Sequence, residues 1–249
     1  KPGMKHRMKG TDIYTVASVT GGGLTINTVE TLSQNYVADV MALDRISQWS
    51  DKSGFGNHAT QATALKQPVY NPNQLNSQGV VEFDGANSLV GAAGLHSLAN
   101  GNNTMFFVSS RDTEAATTTY LVQMSEAGGI RQYFRYAATA GSMLYVNRTA
   151  DANQLSITGL TNTNMQILMC GVDGITQKVS ANNSAPLTNA SAQYESGVDL
   201  IGFGSNAAGA GNFLIGKMAL VLGYNRALSG TEIGVVNRWI SQRTAITIS

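Results

Sequence analysis

The sequence predicts an all-β fold, an antiparallel sandwich closed by one short C-terminal helix. Three observations carry this. Runs rich in β-branched and aromatic residues recur from residue 68 to residue 224, separated by clusters of Gly, Asn and Ser. Asp173 and Gly174 sit between two such runs, a strong hairpin signal. Only one segment, after Ser229, has both a helical start and a helical period. A chain of 249 residues is within the size that β-sandwiches use as a single domain.

Residues 1–36 are expected to form an N-terminal arm or docking segment, and residues 37–249 the sandwich. In the arm, residues 13–19 have strand-like composition, Gly21 to Gly23 break the run, and residues 24–29 supply a second short strand, making a possible hairpin. Residues 36–46 fit a helical turn as well as a strand, because Val37, Val40, Met41 and Leu43 suit either.

Residues 49–61 read as a rigid, self-bonded loop. Trp49 is its hydrophobic anchor, and Gly54 and Gly56 supply backbone conformations with positive φ. Asp51, Ser53 and Asn57 can fold back onto nearby main-chain N–H groups. Strands are then expected at 68–70, 79–84, 104–110, 118–124, 130–136, 142–146, 165–172, 175–181, 198–203 and 213–224. In the second of these, Val81 and Phe83 share one face, and Glu82 and Asp84 the other. The helix begins at a capping box, Ser229 with Glu232, and Ile233, Val236 and Ile240 fall on one face. It should lie against the rim of the sandwich.

Charged residues make up 12% of the chain, about half the usual share, and neutral polar residues replace them. Such a surface suits protein partners or neutral ligands such as sugars. Lys1, Lys5, Arg7 and Lys9 precede the first acid, so the rest of the chain holds 12 bases against 15 acids. That body lacks the dense basic surface of nucleic-acid recognition. No apolar run is long enough to span a bilayer. Cys170 is the only cysteine, so no intrachain disulfide forms; its apolar run marks it as a buried, inert thiol.

Two stretches resemble signatures of the laminin G-like, concanavalin A-like jelly-roll superfamily. The opening one is residues 49–61 followed by 81–85; the closing one is residues 213–229 with Glu232 and Ile233. The hairpin at Asp173 and residues 200–202 resemble inner strands of the same fold. Leu220 stands where the family often has a glutamate, and residues 1–36 have no counterpart. The resemblance implies a jelly-roll sandwich of the kind found in glycan-binding modules, bacterial surface proteins and bacteriophage virion proteins. One scaffold with many functions makes this an analogy for function.

Glycoside hydrolases of this fold use a Glu-x-Asp-x-x-Glu pattern. Here Glu82 and Asp84 are followed by Asn87, so one required carboxyl is absent, and no catalytic residue is assigned. His6, His58 and His96 belong to no metal or nucleophile motif. Calcium favours several oxygens together. Asp51, Asn57 and Asp84 lie in segments that the resemblance brings together, which makes them the candidate calcium ligands; no other cofactor is implied. The candidate ligand surface is the strand at 130–136. Arg131, Tyr133 and Arg135 would share one face, a tyrosine between two arginines suited to sugar stacking or acidic sugars, with Tyr145 and Arg148 extending it.

The leading expectation is a non-catalytic binding or assembly module, a decoration or fibre protein on a virion surface. Its partners would be protein subunits of a larger assembly such as a capsid or tail. The alternative is a carbohydrate-binding domain of a bacterial surface or secreted protein, extracellular or at the cell surface, with cell-surface glycans as partners. A glycoside hydrolase is the reading the residues favour least.

Overall fold

The computed structural model describes residues 5–7, 13–15, 18–20, 23–25, 44–98, 101–114, 117–126, 129–147, 154–190 and 200–248. They fall into two compact units, Lys1–Leu43 and Asp44–Ser249. In the first, β1 (Lys5–Arg7) pairs antiparallel with β2 (Ile13–Thr15), and β3 (Ser18–Thr20) with β4 (Gly23–Thr25). The single strand expected over residues 13–19 is thus two strands with different partners, β2 paired with β1 and β3 with β4, while Gly21 and Gly22 lie outside the described residues. Residues 26–43, including most of the ambiguous 36–46 stretch, lie outside the described residues.

The second unit is a sandwich of two eight-stranded sheets, antiparallel at every pairing. Its strands in chain order are β5 (Asp44–Arg45), β6 (Gln48–Trp49), β7 (Ala59–Thr60), β8 (Val69–Leu75), β9 (Gln78–Asp84), β10 (Leu89–Gly91) and β11 (Asn103–Arg111). They continue with β12 (Thr119–Glu126), β13 (Gly129–Tyr136), β14 (Met143–Asn147), β15 (Leu155–Ile157), β16 (Gln166–Asp173) and β17 (Thr176–Ala181). β18 (Leu187–Asn189), β19 (Leu200–Phe203), β20 (Ile215–Tyr224) and helix α1 (Gly230–Thr244) complete the unit. The first sheet runs β15-β14-β13-β12-β19-β10-β7-β6; the second runs β18-β17-β16-β11-β20-β9-β8-β5.

The core between the sheets is built by alternation. Val81 and Phe83 of β9 point inward, as the period-two reading requires, and meet Phe107, Leu121, Phe134, Ile201 and Met218. β11 and β16 are buried on both faces, which is why their sequences are continuous apolar runs rather than alternating ones. Met105, Phe107, Leu168 and Cys170 face the inner core. Phe106, Val108, Ile167 and Met169 face outward and are covered by Ile233 and Ile240 of α1. The helix thus covers the outer face of the second sheet, not the rim expected from sequence. The reason is that β11 and β16 carry large side chains on both faces, each worth about 1.5–3 kcal/mol when buried. Cys170 is buried in mid-strand, and burial pushes its thiol well above the ordinary range.

The capping box is present. Ser229 Oγ accepts from the Glu232 N–H at 3.3 Å, and Glu232 Oε2 accepts from the Ser229 N–H at 2.9 Å. Arg226 adds an ion pair to Glu232 at 2.6 Å. The β16–β17 hairpin turns at Gly174, with Asp173 opposite Thr176.

Candidate functional site

With α1 over the second sheet, the outer face of the first sheet is the one the helix leaves uncovered. Inward-pointing Leu89, Leu121, Met124, Phe134, Ile201 and Phe203 fix which side chains point out. A row of register partners crosses this outer face through Thr60, Val90, Gly202, Gln123 and Tyr133. Arg135 follows on β13, opposite Tyr120 of β12.

The loop between β19 and β20 lies on this face. Its own bonds shape it: Leu214 N–H donates to the Gly204 carbonyl at 2.8 Å, and Asn206 N–H to the Gly211 carbonyl at 2.9 Å. Ala207 N–H then donates to Gln123 Oε1 at 2.8 Å, and Tyr120 N–H to the Asn212 carbonyl at 3.0 Å. Gly202 admits the loop because a Cβ there would sit 2.3 Å from the Asn206 carbonyl oxygen.

Arg135 is held on a tyrosine platform. Its guanidinium carbon is 4.5 Å from the centroid of the Tyr133 ring and 5.8 Å from that of Tyr120. The two rings meet edge to face at 5.6 Å. Arg135 Nη1 donates to the Tyr120 hydroxyl at 3.4 Å, while its Nε is buried without a hydrogen-bond partner. No carboxylate among the described residues pairs with Arg135. Such stacking is worth about 0.5–2 kcal/mol and restricts where the guanidinium can point.

This geometry corrects two expectations. Tyr133 is only 3% exposed, so its ring is not available to stack on a sugar; it supports Arg135 instead. Tyr145 does not extend the patch. It sits opposite Phe134 in the β13–β14 register, on the inward face, and is fully buried with its hydroxyl bonded to Gln132. Arg131 lies on β13, but its side chain is outside the described residues, and so is Arg148 altogether. Tyr120 and Gln123 were not picked out from the sequence. Only the cross-strand register, which no local pattern reveals, places them beside Arg135 and Tyr133.

The loop at 49–61 is a fastener built around one carboxylate. Asp51 accepts from the Ser53 N–H (2.8 Å), the Ser53 hydroxyl (2.7 Å) and the Asn57 N–H (2.9 Å). Asp51 N–H donates to His58 Nδ1 at 3.0 Å. Gly54 and Gly56 have φ of 91° and 72°, and Trp49 is half-buried against the inner core. Asp84 is satisfied elsewhere, accepting from the Ala86 N–H at 2.9 Å. It shares no partner with Asp51 or Asn57 among the described residues. No group of three His, Cys, Asp or Glu that could hold a metal occurs among them. Glu82 is engaged by the Asn71 amide, and Asn87 is a buried turn residue whose Oδ1 accepts from the Asp84 N–H at 3.0 Å.

The Ser53 hydroxyl and the Ser53 and Asn57 N–H groups hold the Asp51 carboxyl down to about 2, from an ordinary 3.8. Arg226, then Ser229, holds Glu232 down to about 2 from 4.5. Both groups have depressed folded values, so both stabilise above the unfolded value and stop doing so as pH falls through the folded one. Acidification from about pH 4 to about pH 2 is therefore expected to loosen the 49–61 loop and the start of α1. Amide resonances of Ser53, Asn57 and Glu232 should report it; resonances unmoved down to pH 2 would refute the assignment.

A buried polar brace closes the same end of the sheets as Tyr120 and Arg135. Arg111, 2% exposed, donates from Nη1 to the Ala137 carbonyl (2.9 Å) and from Nη2 to the Thr117 carbonyl (3.0 Å). Its guanidinium carbon lies 5.6 Å from the centroid of the Tyr136 ring. Glu114 Oε2 accepts from the Gly141 N–H at 3.0 Å and from the Asn162 amide at 3.3 Å. Burial works to raise the Glu114 carboxyl, but the Gly141, Asn162 and Thr163 hydrogen bonds and Arg111 hold it below the ordinary range.

No protein-family model matches the sequence, and no curated protein matches it. Solved structures do. The Ruminococcus gnavus IT-sialidase CBM40, bound to α2,3 sialyllactose, superposes over 64% of this chain and 96% of its own, with a TM-score of 0.52 and 16% identity. A Trypanosoma rangeli sialidase in complex with sialic acid matches 80% of this chain but 32% of its own length (TM-score 0.62, 16% identity). A botulinum neurotoxin type C structure, whose cell entry is described as dependent on two ganglioside molecules, matches 79% of this chain and 51% of its own (TM-score 0.52, 7% identity). The likeness is one of fold. The shared feature is the two-sheet antiparallel β-sandwich of the Asp44–Ser249 unit. Among the described residues, no helix is long and apolar enough to cross a membrane.

Proposed function

We propose that the sandwich is a non-catalytic carbohydrate-binding module that takes acidic glycans at Arg135. One observation carries the reading: an arginine held on two tyrosine rings, on the outer face the helix leaves uncovered, with no carboxylate partner among the described residues. A planar guanidinium held in this way suits the two oxygens of a sugar carboxylate. Supporting it, two of the matched structures are described with sialyllactose or sialic acid bound. The motifs at 49–61 and 213–233 support laminin G-like membership as the finer family assignment. Nothing in the comparisons supports a virion surface or capsid and tail partners, and a glycan partner outside the cell or on its surface replaces them here.

A glycan array tests the proposal. Sialylated or uronate-bearing glycans should bind and neutral ones should not bind at this face. Arg135→Met should weaken binding by about tenfold or more, the scale of one charge-assisted hydrogen bond. Arg135→Lys should not restore it, because a point charge lacks the fork. Binding to no acidic glycan, or full binding by Arg135→Met, would overturn the reading.

A further inference from the structure

The outward side of α1 is a second surface with an arginine held on an aromatic ring. At about 100° per residue, Thr231, Val235, Arg238, Trp239, Gln242 and Arg243 share one sector of the helix, opposite the buried Ile233 and Ile240. All six are exposed, Val235 to 52% and Trp239 to 42%. The sector carries the positive charges of Arg238 and Arg243 and no negative one. Glu232, the acid of the helix, sits in its first turn and is taken by Arg226 at 2.6 Å. No carboxylate among the described residues pairs with Arg238 or Arg243.

Arg243 is held from two sides. Its guanidinium carbon lies 5.0 Å from the centroid of the Trp239 ring, one turn back on the helix. Its Nη2 donates to Gln78 Oε1 at 3.5 Å, and its carbonyl accepts from Asn76 Nδ2 at 3.0 Å. Both partners come from the tight turn between β8 and β9, where Asn76 and Ser77 have φ of 46° and 62°. A cation in the last turn also complements the carbonyl end of a helix, a role lysine fills as well. The stack on Trp239 and the planar fork are what arginine adds.

Two arginines without an acid call for an anionic occupant. A lipid surface is a poor match, because its recognition takes clusters of about four to eight basic residues. A folded protein partner needs about 800 Å² on each side with an apolar centre, and this sector offers only Val235 and Trp239. An acidic sugar fits both parts. The two oxygens of its carboxylate match the guanidinium fork, and its ring C–H groups pack beside the indole. We infer that the outward side of α1 is a second acidic-glycan site, and that one chain bridges two glycan strands. Arg135 lies on the outer face of the first sheet and α1 on that of the second, so the two sites face opposite ways. Sheets about 10 Å apart and a helix about 10 Å thick separate them by on the order of 20 Å. The bridging rests on the Arg135 reading; the α1 site does not.

The Trp239 indole N–H is the reporter in a ¹H–¹⁵N titration of the full chain. The methyl glycosides of N-acetylneuraminic acid and glucuronic acid are the probes. At least one should move that resonance and saturate with a Kd on the order of 1–10 mM, while methyl β-glucopyranoside should leave it in place. Arg243→Met should weaken the interaction about tenfold. Arg243→Lys should keep the urea midpoint, since the charge at the helix end remains, yet bind no better than Arg243→Met. Arg135→Met should leave the Trp239 shift as it is, so failure of the Arg135 face and failure of this site are told apart. With polysialic acid or hyaluronate, light scattering should rise at intermediate ratios of protein to polymer and fall in excess of either. Arg243→Met and Arg135→Met should each abolish the rise. No Trp239 shift with either acidic sugar, an equal shift with the neutral glucoside, or scattering that survives Arg243→Met would overturn the inference. So would phosphatidylserine vesicles that bind through Arg243 when neither sugar does.

Discussion

Arg111→Met is expected to lower the free energy of unfolding by about 3 kcal/mol, the scale of two lost hydrogen bonds from a charged donor. The loss has two sources. The Ala137 and Thr117 carbonyls lose their donors, and the Glu114 carboxylate loses the cation that helps keep it ionised. Methionine fills much of the arginine stem's volume, so the effect reports charge and hydrogen bonding more than a cavity. Glu114 has a depressed folded value, so the stability it carries is present above the unfolded carboxyl value and fades as pH falls through the folded one. The deficit of the variant should therefore shrink in acid. Adding Glu114→Gln to Arg111→Met should recover part of the loss, since the uncompensated charge is then gone. Urea unfolding at neutral pH measures all three; a single-variant change under about 1 kcal/mol would show that the brace is dispensable.

Gly202→Ala should be nearly as severe, for a steric reason. The new Cβ would meet the Asn206 carbonyl oxygen at 2.3 Å and the Ala207 Cα at 2.9 Å, both main-chain atoms that cannot swing aside. The β19–β20 loop must lift, and the Ala207 N–H bond to Gln123 goes with it. Overpacking of about 1–3 kcal/mol and a hydrogen bond of about 1 kcal/mol add to an expected loss of roughly 2–4 kcal/mol. The same movement withdraws Asn212 from Tyr120 and disturbs the platform under Arg135. Glycan affinity should then fall together with stability, whereas Arg135→Met should lose affinity at a cost in stability no larger than the about 0.5–2 kcal/mol of its stacking. A Gly202→Ala protein with unchanged urea midpoint and unchanged Ala207 amide shift would sink this account of the loop.

The parts of the fold legible in the sequence were those with local causes. Alternation placed Val81 and Phe83 inward, turn chemistry placed Gly174, and Ser229 with Glu232 announced the helix. The main-chain bonds accepted by the Asp51 and Ser53 side chains follow from short-range stereochemistry and matched expectation, whereas Asn57 joins the loop through its main-chain N–H. The misses have long-range causes. Strands of two or three residues, such as β6, β7 and β10, are too short to show a period, yet they complete the first sheet. The insertion of β19 between β12 and β10 brings Gly202 beside Gln123 across nearly eighty residues of chain. Tyr133 reads as a surface tyrosine because a strand's outer face is usually wet. The stacking of Arg135 on its ring, which no spacing encodes, goes with its near-complete burial. The brace at Arg111 and Glu114 was missed for the same reason, since its partners come from three separate loops.

The single sulfhydryl of the chain acquires a use from its position. Cys170 lies in β16 with β11 on one side and β17 on the other, and burial keeps its proton on. An alkylating reagent can reach it only when those strands part, which takes the whole sandwich with them. The speed of alkylation at fixed pH is thus a clock for global opening, already installed and unique. Fraying at the 49–61 loop or at the helix start leaves that clock untouched, so it separates local loosening from unfolding without any added label.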